Sequence, residues 1–119
     1  MDKVNLADKL SRIPEFWSPR VVGALNGQHV RLARLMGEFV WHHHDHEDEL
    51  FLVLAGNLEL HLEDRIVHLA PGEFFIVPKG VAHKPVAPEE VHVLLLEPAA
   101  TRNTGNVVNE RTVEHLERL

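Results

Sequence analysis

The chain has 119 residues, 45% of them hydrophobic and 25% charged, which is the size and balance of one domain built around one core. It has no cysteine, which excludes a disulfide framework, a thiol nucleophile and any cysteine-ligated metal site. Twelve Lys and Arg against eighteen Asp and Glu leave a formal charge of −6, the wrong sign for gripping a phosphate backbone, so nucleic acid is not an expected partner. The opening MDKVNLADKL has no apolar h-region, and no stretch approaches the roughly twenty apolar residues of a membrane span. A soluble, cytoplasmic protein with no membrane partner is expected.

In chain order, Leu6, Leu10 and Ile13 lie at helical spacing, with Asn5 placed to cap and Pro14 to stop, and predict a short helix over Asn5 to Ile13. After Ser18-Pro19 the pattern becomes short runs of β-formers broken by turn residues roughly every eight to twelve positions, the pattern of an all-β sandwich or barrel. Strands are predicted over Val21–Leu25 and Gln28–Met36 around the Asn26-Gly27 turn, and over Leu50–Leu54 and Leu58–Leu62 around Ala55-Gly56-Asn57. Further strands are predicted over Arg65–Leu69 and over Phe74–Val77, which follows Pro71-Gly72. Another runs from Val91 to Glu97 beyond a Pro88-Glu89-Glu90 turn, and one more is opened by His83. Roughly eight to ten antiparallel strands result, with no room for crossover helices. The barrel core is placed at about residues 20–98 of a single domain over residues 1–119. From Pro98 the chain turns polar and reads as an extended tail that docks on the body or on a partner subunit.

Ten histidines are present, and four of them fall at His42, His43, His44 and His46. Imidazole is the commonest metal ligand among side chains, and this clustering is the chemical signal of the sequence. His42 and His44 leave one face of an extended strand, and a turn or bulge at Asp45-His46-Glu47-Asp48 would bring Glu49 to the same point. His83, after Pro78 and Gly80, offers a fourth ligand from a distant segment. His44 and His46 are also two apart, and Glu47 is a second carboxylate, so both remain rivals. His43 should face away from its neighbours, and Trp41 should pack on the opposite side from His42. Phe51 and Val53 share the face of Glu49 and could wall a cavity. Arg31, Arg34 and Arg65 are candidates for holding an anionic substrate, although an isolated arginine on a strand usually lies at the surface. His61 should be exposed, and His92 a hydrogen-bonded histidine of the barrel.

The spacing Gly37, four residues, His42-x-His44, four residues, Glu49, six residues, Gly56 resembles the first signature motif of the cupin superfamily. The spacing Gly72, five residues, Pro78-x-Gly80, two residues, His83 resembles the second. Ala87 stands where that motif often has Asn. The resemblance implies an antiparallel jelly-roll barrel, also described as a double-stranded β-helix. It further implies one divalent first-row metal ion, iron, manganese, nickel, copper or zinc, held by His42, His44, Glu49 and His83. It implies a metal-dependent enzyme of dioxygenase or isomerase type acting on a small polar molecule, with Glu49 or a metal-bound hydroxide as the catalytic base and His42, His44 and His83 as fixed ligands. A non-catalytic small-molecule-binding or sensing protein is the alternative, and a homodimer is the expected assembly.

Overall fold

The computed structural model describes residues 2–119. A single helical turn and a half, α1 (Leu6–Leu10), opens the chain. Asn5 caps it by accepting a hydrogen bond from Asp8 N–H at 2.9 Å, and the backbone tightens after Leu10, ending the helix short of the predicted Ile13. Seven strands follow: β1 (Arg20–Leu25), β2 (Gln28–Glu38), β3 (Glu49–Ala55), β4 (Leu58–Leu62), β5 (Ile66–Leu69), β6 (Phe74–Val77) and β7 (His83–Pro98). The sheet is antiparallel throughout, in the order β1-β2-β7-β3-β6, with β4 laid against the first part of β7 and β5 against β4.

β7 organises the molecule. β2 runs along one side of it from the Gln28–Pro98 pair to the Glu38–Val86 pair. Its other side is shared, β3 taking the second half from Leu50–Leu96 onward and β4 the first half, where Leu62 pairs with His83. Here the structure corrects the sequence reading. Pro88-Glu89-Glu90 does not turn the chain, and the strands opened by His83 and by Val91 are one, so seven strands stand where eight to ten were predicted. Between the Leu35–Val91 and Gly37–Ala87 pairs β7 carries extra residues in a bulge, and Pro88 sits in it, where its missing N–H breaks no ladder.

The rolled sheet encloses one apolar cluster. It includes Ala33 and Leu35 of β2, Phe51 and Val53 of β3, Leu58 and Leu60 of β4, and Val91, Val93 and Leu95 of β7, with Trp17 closing one end. Strand alternation puts these residues inward, because every second side chain shares a face. A second cluster lies outside the roll, where Leu10 and Ile13 cover Val22 and Leu32. The fold is therefore all-β with one short helix, as predicted, although the hydrogen-bonded path does not close into a ring and leaves β1, β5 and β6 as edges among the described residues. The tail beyond Pro98 docks on the body: Val21 N–H donates to Glu117 O and Leu119 N–H to Val21 O, while Asn106 Oδ1 accepts from His43 N–H. Among the described residues no helix is long and apolar enough to cross a membrane.

Candidate metal centre

Four side chains from three places in the chain meet at one end of the roll. His42 and His44 lie on the link between β2 and β3, Glu49 is the first residue of β3, and His83 the first of β7. One potential ligand atom from each lies within 4.8 Å of all the others, and all four residues are buried. The link is not the regular strand that the i, i+2 spacing suggests; only His42 bridges, to His83. That bridge is reciprocal, with His42 N–H donating to His83 O at 3.0 Å and His83 N–H to His42 O at 2.9 Å. Gly80 N–H donates to His44 O at 2.7 Å and Lys79 N–H to Asp48 Oδ1 at 2.8 Å, so the Pro78-Gly80 turn pins both ends of the charged link. This clamp, rather than strand parity, aims His44 and Glu49 at the same point.

The electrostatics suit a cation. Nδ1–H of His42 donates to Val40 O and Nδ1–H of His83 to Val81 O, each at 2.9 Å, which leaves both Nε2 lone pairs directed inward. His44 Nε2 and His83 Nε2 stand 3.3 and 3.4 Å from Glu49 Oε1 without forming aligned hydrogen bonds, and all three atoms are buried with no partner. Orphaned buried lone pairs beside a buried carboxylate are costly unless something positive joins them, and a divalent ion fits that donor set. Burial, with the neighbouring His83, lowers the His42 pKa to about 4, so that imidazole is neutral and able to ligate at neutral pH. Burial by itself would raise Glu49, but hydrogen bonding from Glu97 and contact with His44 and His83 outweigh it and hold its carboxyl well below the usual range.

Glu97 escaped the sequence reading. Burial, and next the charge of Glu49, push its carboxyl well above the ordinary range, against the pull of Arg31. Arg31 Nη1 donates to Glu97 Oε1 at 2.5 Å, and both side chains are only 1% exposed. A buried chain thus runs Arg31, Glu97, Glu49 into the histidines. The signal was available: Val91, Val93 and Leu95 alternate inward, and Glu97 continues their face.

Of the rivals, His46 is exposed and Glu47 half-buried, and neither joins the cluster. His43 turns away and meets Asp45 at 2.9 Å. Trp41 does not pack as expected: it is 45% exposed, with Lys84 Nζ 5.9 Å from its ring centroid, because no element covers that side of the link. His61 is half-buried rather than exposed and meets Glu59, while His92 is hydrogen-bonded to Glu90. Arg34 binds Glu90 and the carbonyl of Ile13, and Arg65 lies over Phe75, so both serve the scaffold. Phe51 does wall the centre, its ring edge-on to His83 at 6.1 Å, and Phe39 stands edge-on to His42 at 5.4 Å. Between these rings, His42, Glu49 and Glu97 lies a space of only about 30 Å³.

Fold and site together define a small antiparallel β-roll protein with a buried three-histidine, one-carboxylate centre able to hold a metal ion. Residues 30–97 match the family described as the cupin domain, and the chain belongs to that family. A cupin-2 domain containing protein from Shewanella frigidimarina is 42% identical, with a TM-score of 0.79 over 80% of this chain and 93% of its own. A Neisseria meningitidis protein is 27% identical, with a TM-score of 0.75 over 82% of this chain and 100% of its own. The uncharacterized protein YdbB of Bacillus subtilis is 39% identical over 64 residues, a match that spans 57% of the relative's length.

Proposed function

We propose that this protein is a metal-dependent enzyme, of dioxygenase or isomerase type, acting on a small polar molecule. It would hold one divalent first-row ion, iron, manganese, nickel, copper or zinc, through His42, His44, Glu49 and His83. The observation that carries the reading is the convergence of four buried donors, three with orphaned lone pairs, within 4.8 Å. Such an ion, with coordination positions left open by four protein ligands, supplies Lewis acidity toward a carbonyl or hydroxyl oxygen. The protein's own groups do the rest. His42 and His83 are fixed in one tautomer by their carbonyl partners. Phe39 and Phe51 exclude bulk water from the centre. Glu49 is the proposed base, and Glu97, its carboxyl pushed well above the ordinary range by burial and then by the charge of Glu49, stands behind it.

The non-catalytic alternative is a small-molecule-binding or sensing protein, and in either reading the space at the centre, about 30 Å³, admits little more than a water molecule beside the four donors. The test is elemental analysis of untagged protein followed by a screen of small hydroxylated, keto and sugar-like compounds with oxygen consumption recorded. About one ion per chain with turnover supports the enzyme. An ion with a co-purified compound released unchanged supports the binder, and a metal-free protein that takes up none of the five ions refutes both. The cytoplasm is the proposed location. A homodimer is the proposed assembly, supported by the row of exposed Phe74 and Ile76 on the edge strand β6, and a monomer by light scattering would dismiss it.

A further inference from the structure

The centre is shut. Beside the four donors there is about 30 Å³, whereas a cavity of about 520 Å³ lies on the other side of His44. One stretch of the tail stands between them: Asn103 borders the small space, and Thr101, Arg102, Gly105 and Asn106 border the large one. The rim of the large cavity mixes Asp45, Glu47 and Glu114 with Arg102 and Arg118, so it favours neither sign of charge. No small metabolite reaches the buried donors unless this partition moves.

The partition is built to move as one piece. Its flanks are tied to the same rung of the sheet, where Val21 of β1 pairs with Arg31 of β2. Arg31 donates to Ala99 O and Thr101 O before the loop; after it, Val21 N–H donates to Glu117 O and Leu119 N–H to Val21 O. Between these anchors the loop binds mainly itself. Asn103 donates to Arg111 O and accepts from Val113 N–H, Thr104 Oγ1 meets Val107 O and Thr112 Oγ1, and Asn109 Oδ1 accepts from Arg111 N–H. A compact loop with neighbouring ends and its own internal contacts is an Ω-loop.

Its seat on the body is slight by comparison. Among the described residues, neither apolar cluster includes a side chain from residues 99–118. The hydrogen bonds that seat it both go to His43, whose N–H donates to Asn106 Oδ1 at 2.9 Å and whose carbonyl accepts from Asn106 N–H at 3.0 Å. The Arg111 guanidinium lies 5.6 Å from the Trp17 ring centroid. Gly105, at φ +57°, passes so close to the His43 carbonyl and the His42 ring that a Cβ would collide with the carbonyl. His43 lies between two of the candidate ligands, so the loop rests on the metal-binding link itself.

We infer that residues 102–116 form a lid that swings as a unit off His42 and His43, joining the large cavity to the centre and admitting the small molecule. That the lid gates a substrate rests on the metal-dependent reading above; that it opens and uncovers the buried imidazoles does not.

The test follows access to the centre in the full-length protein. After dialysis against EDTA, diethyl pyrocarbonate labels the histidines, and mass spectrometry gives the rates at His42 and His83 relative to exposed His46. Amide exchange is read by NMR at residue 106, on the seat, at Val113, inside the lid, and along β7. Asn106→Ala removes one seating bond and should speed both the labelling of His42 and His83 and the exchange at residue 106 by the same factor, roughly three- to tenfold. Arg111→Gln, which frees the Trp17 ring and touches no donor, should speed them about threefold. Val113 and β7 should stay protected in both variants. Faster exchange at residue 106 with unchanged labelling shows that the loop does not cover the centre, and labelling no faster than β7 exchange shows that the centre opens only with the whole fold; either overturns the inference. Zinc uptake is read separately: zinc bound without lid-dependent labelling rejects the lid alone, and lid-dependent labelling in a protein that takes up no ion rejects the metal reading alone.

Discussion

Replacing His83 isolates the proposed centre from the fold around it. The wild-type protein, given an ion at about a thousandfold above its dissociation constant, gains about 4 kcal/mol of stability. For 119 residues the entropy of unfolding is roughly 0.25 kcal/mol/K, so the thermal midpoint should rise by about 16 °C. His83 is fully buried at the centre of the donor set, 3.4 Å from Glu49 Oε1 and bridged to His42. Partners that merely orient a ligand change affinity 10- to 100-fold, so loss of the ligand itself should weaken binding about 100-fold or more. At the same ion concentration His83→Gln then retains about 1.4 kcal/mol, a rise of about 6 °C or less. The assay is differential scanning calorimetry of both proteins with and without each of the five ions, the shift being taken within each protein so that any loss of baseline stability cancels. Equal shifts in the two proteins, or no shift in the wild type with any ion, would refute the argument that these four residues form one cation site.

Three further outcomes follow from the same geometry. In metal-free protein the fold selects neutral His42, whose pKa falls from 6.5 to about 4, so its stabilisation is complete above pH 6.5 and is lost as pH falls toward 4, by about 3 kcal/mol. Urea midpoints across that window should fall by less in His42→Gln, and an identical pH profile would show that His42 is not the group responsible. Glu97→Leu removes the buried acceptor of Arg31 Nη1 and should cost about 1–3 kcal/mol, whereas Arg31→Met with Glu97→Leu should recover part of it; a double variant as unstable as the single would contradict the pairing. Gly56 has φ of +80° and a Cβ there would meet Glu90 O at 2.5 Å, so Gly56→Ala should cost about 2–4 kcal/mol, checked by chemical denaturation against Gly72→Ala, whose φ is similar but whose surroundings are open.

Binary pattern and turn chemistry were enough to read an all-β antiparallel chain, because strand alternation and the positive φ of Asn26-Gly27 and Gly56 are local requirements written in local residues. The four residues that meet at the centre were legible through the resemblance to the two cupin motifs, which chose His44 and Glu49 where the residues alone left His46 and Glu47 as rivals. Long-range register was less so. Pro88-Glu89-Glu90 has the composition of a turn, and only the pairing of β2 along all of β7 converts it into a bulge. Side-chain company is likewise a tertiary property. Arg31 reads as a surface cation until Glu97, sixty-six residues away, is folded against it.

The sequence by itself thus determined the strand class and which side chains could ligate, because both depend on the order of neighbours along the chain. Only the tertiary structure decided that His44 and Glu49 are aimed by the Pro78-Gly80 clamp, that Arg31 and Glu97 stand behind them, and that the tail docks against Val21 and His43. Those facts depend on which distant groups share a buried space, where an unpaired charge or donor is costly, and no short window of residues contains that information.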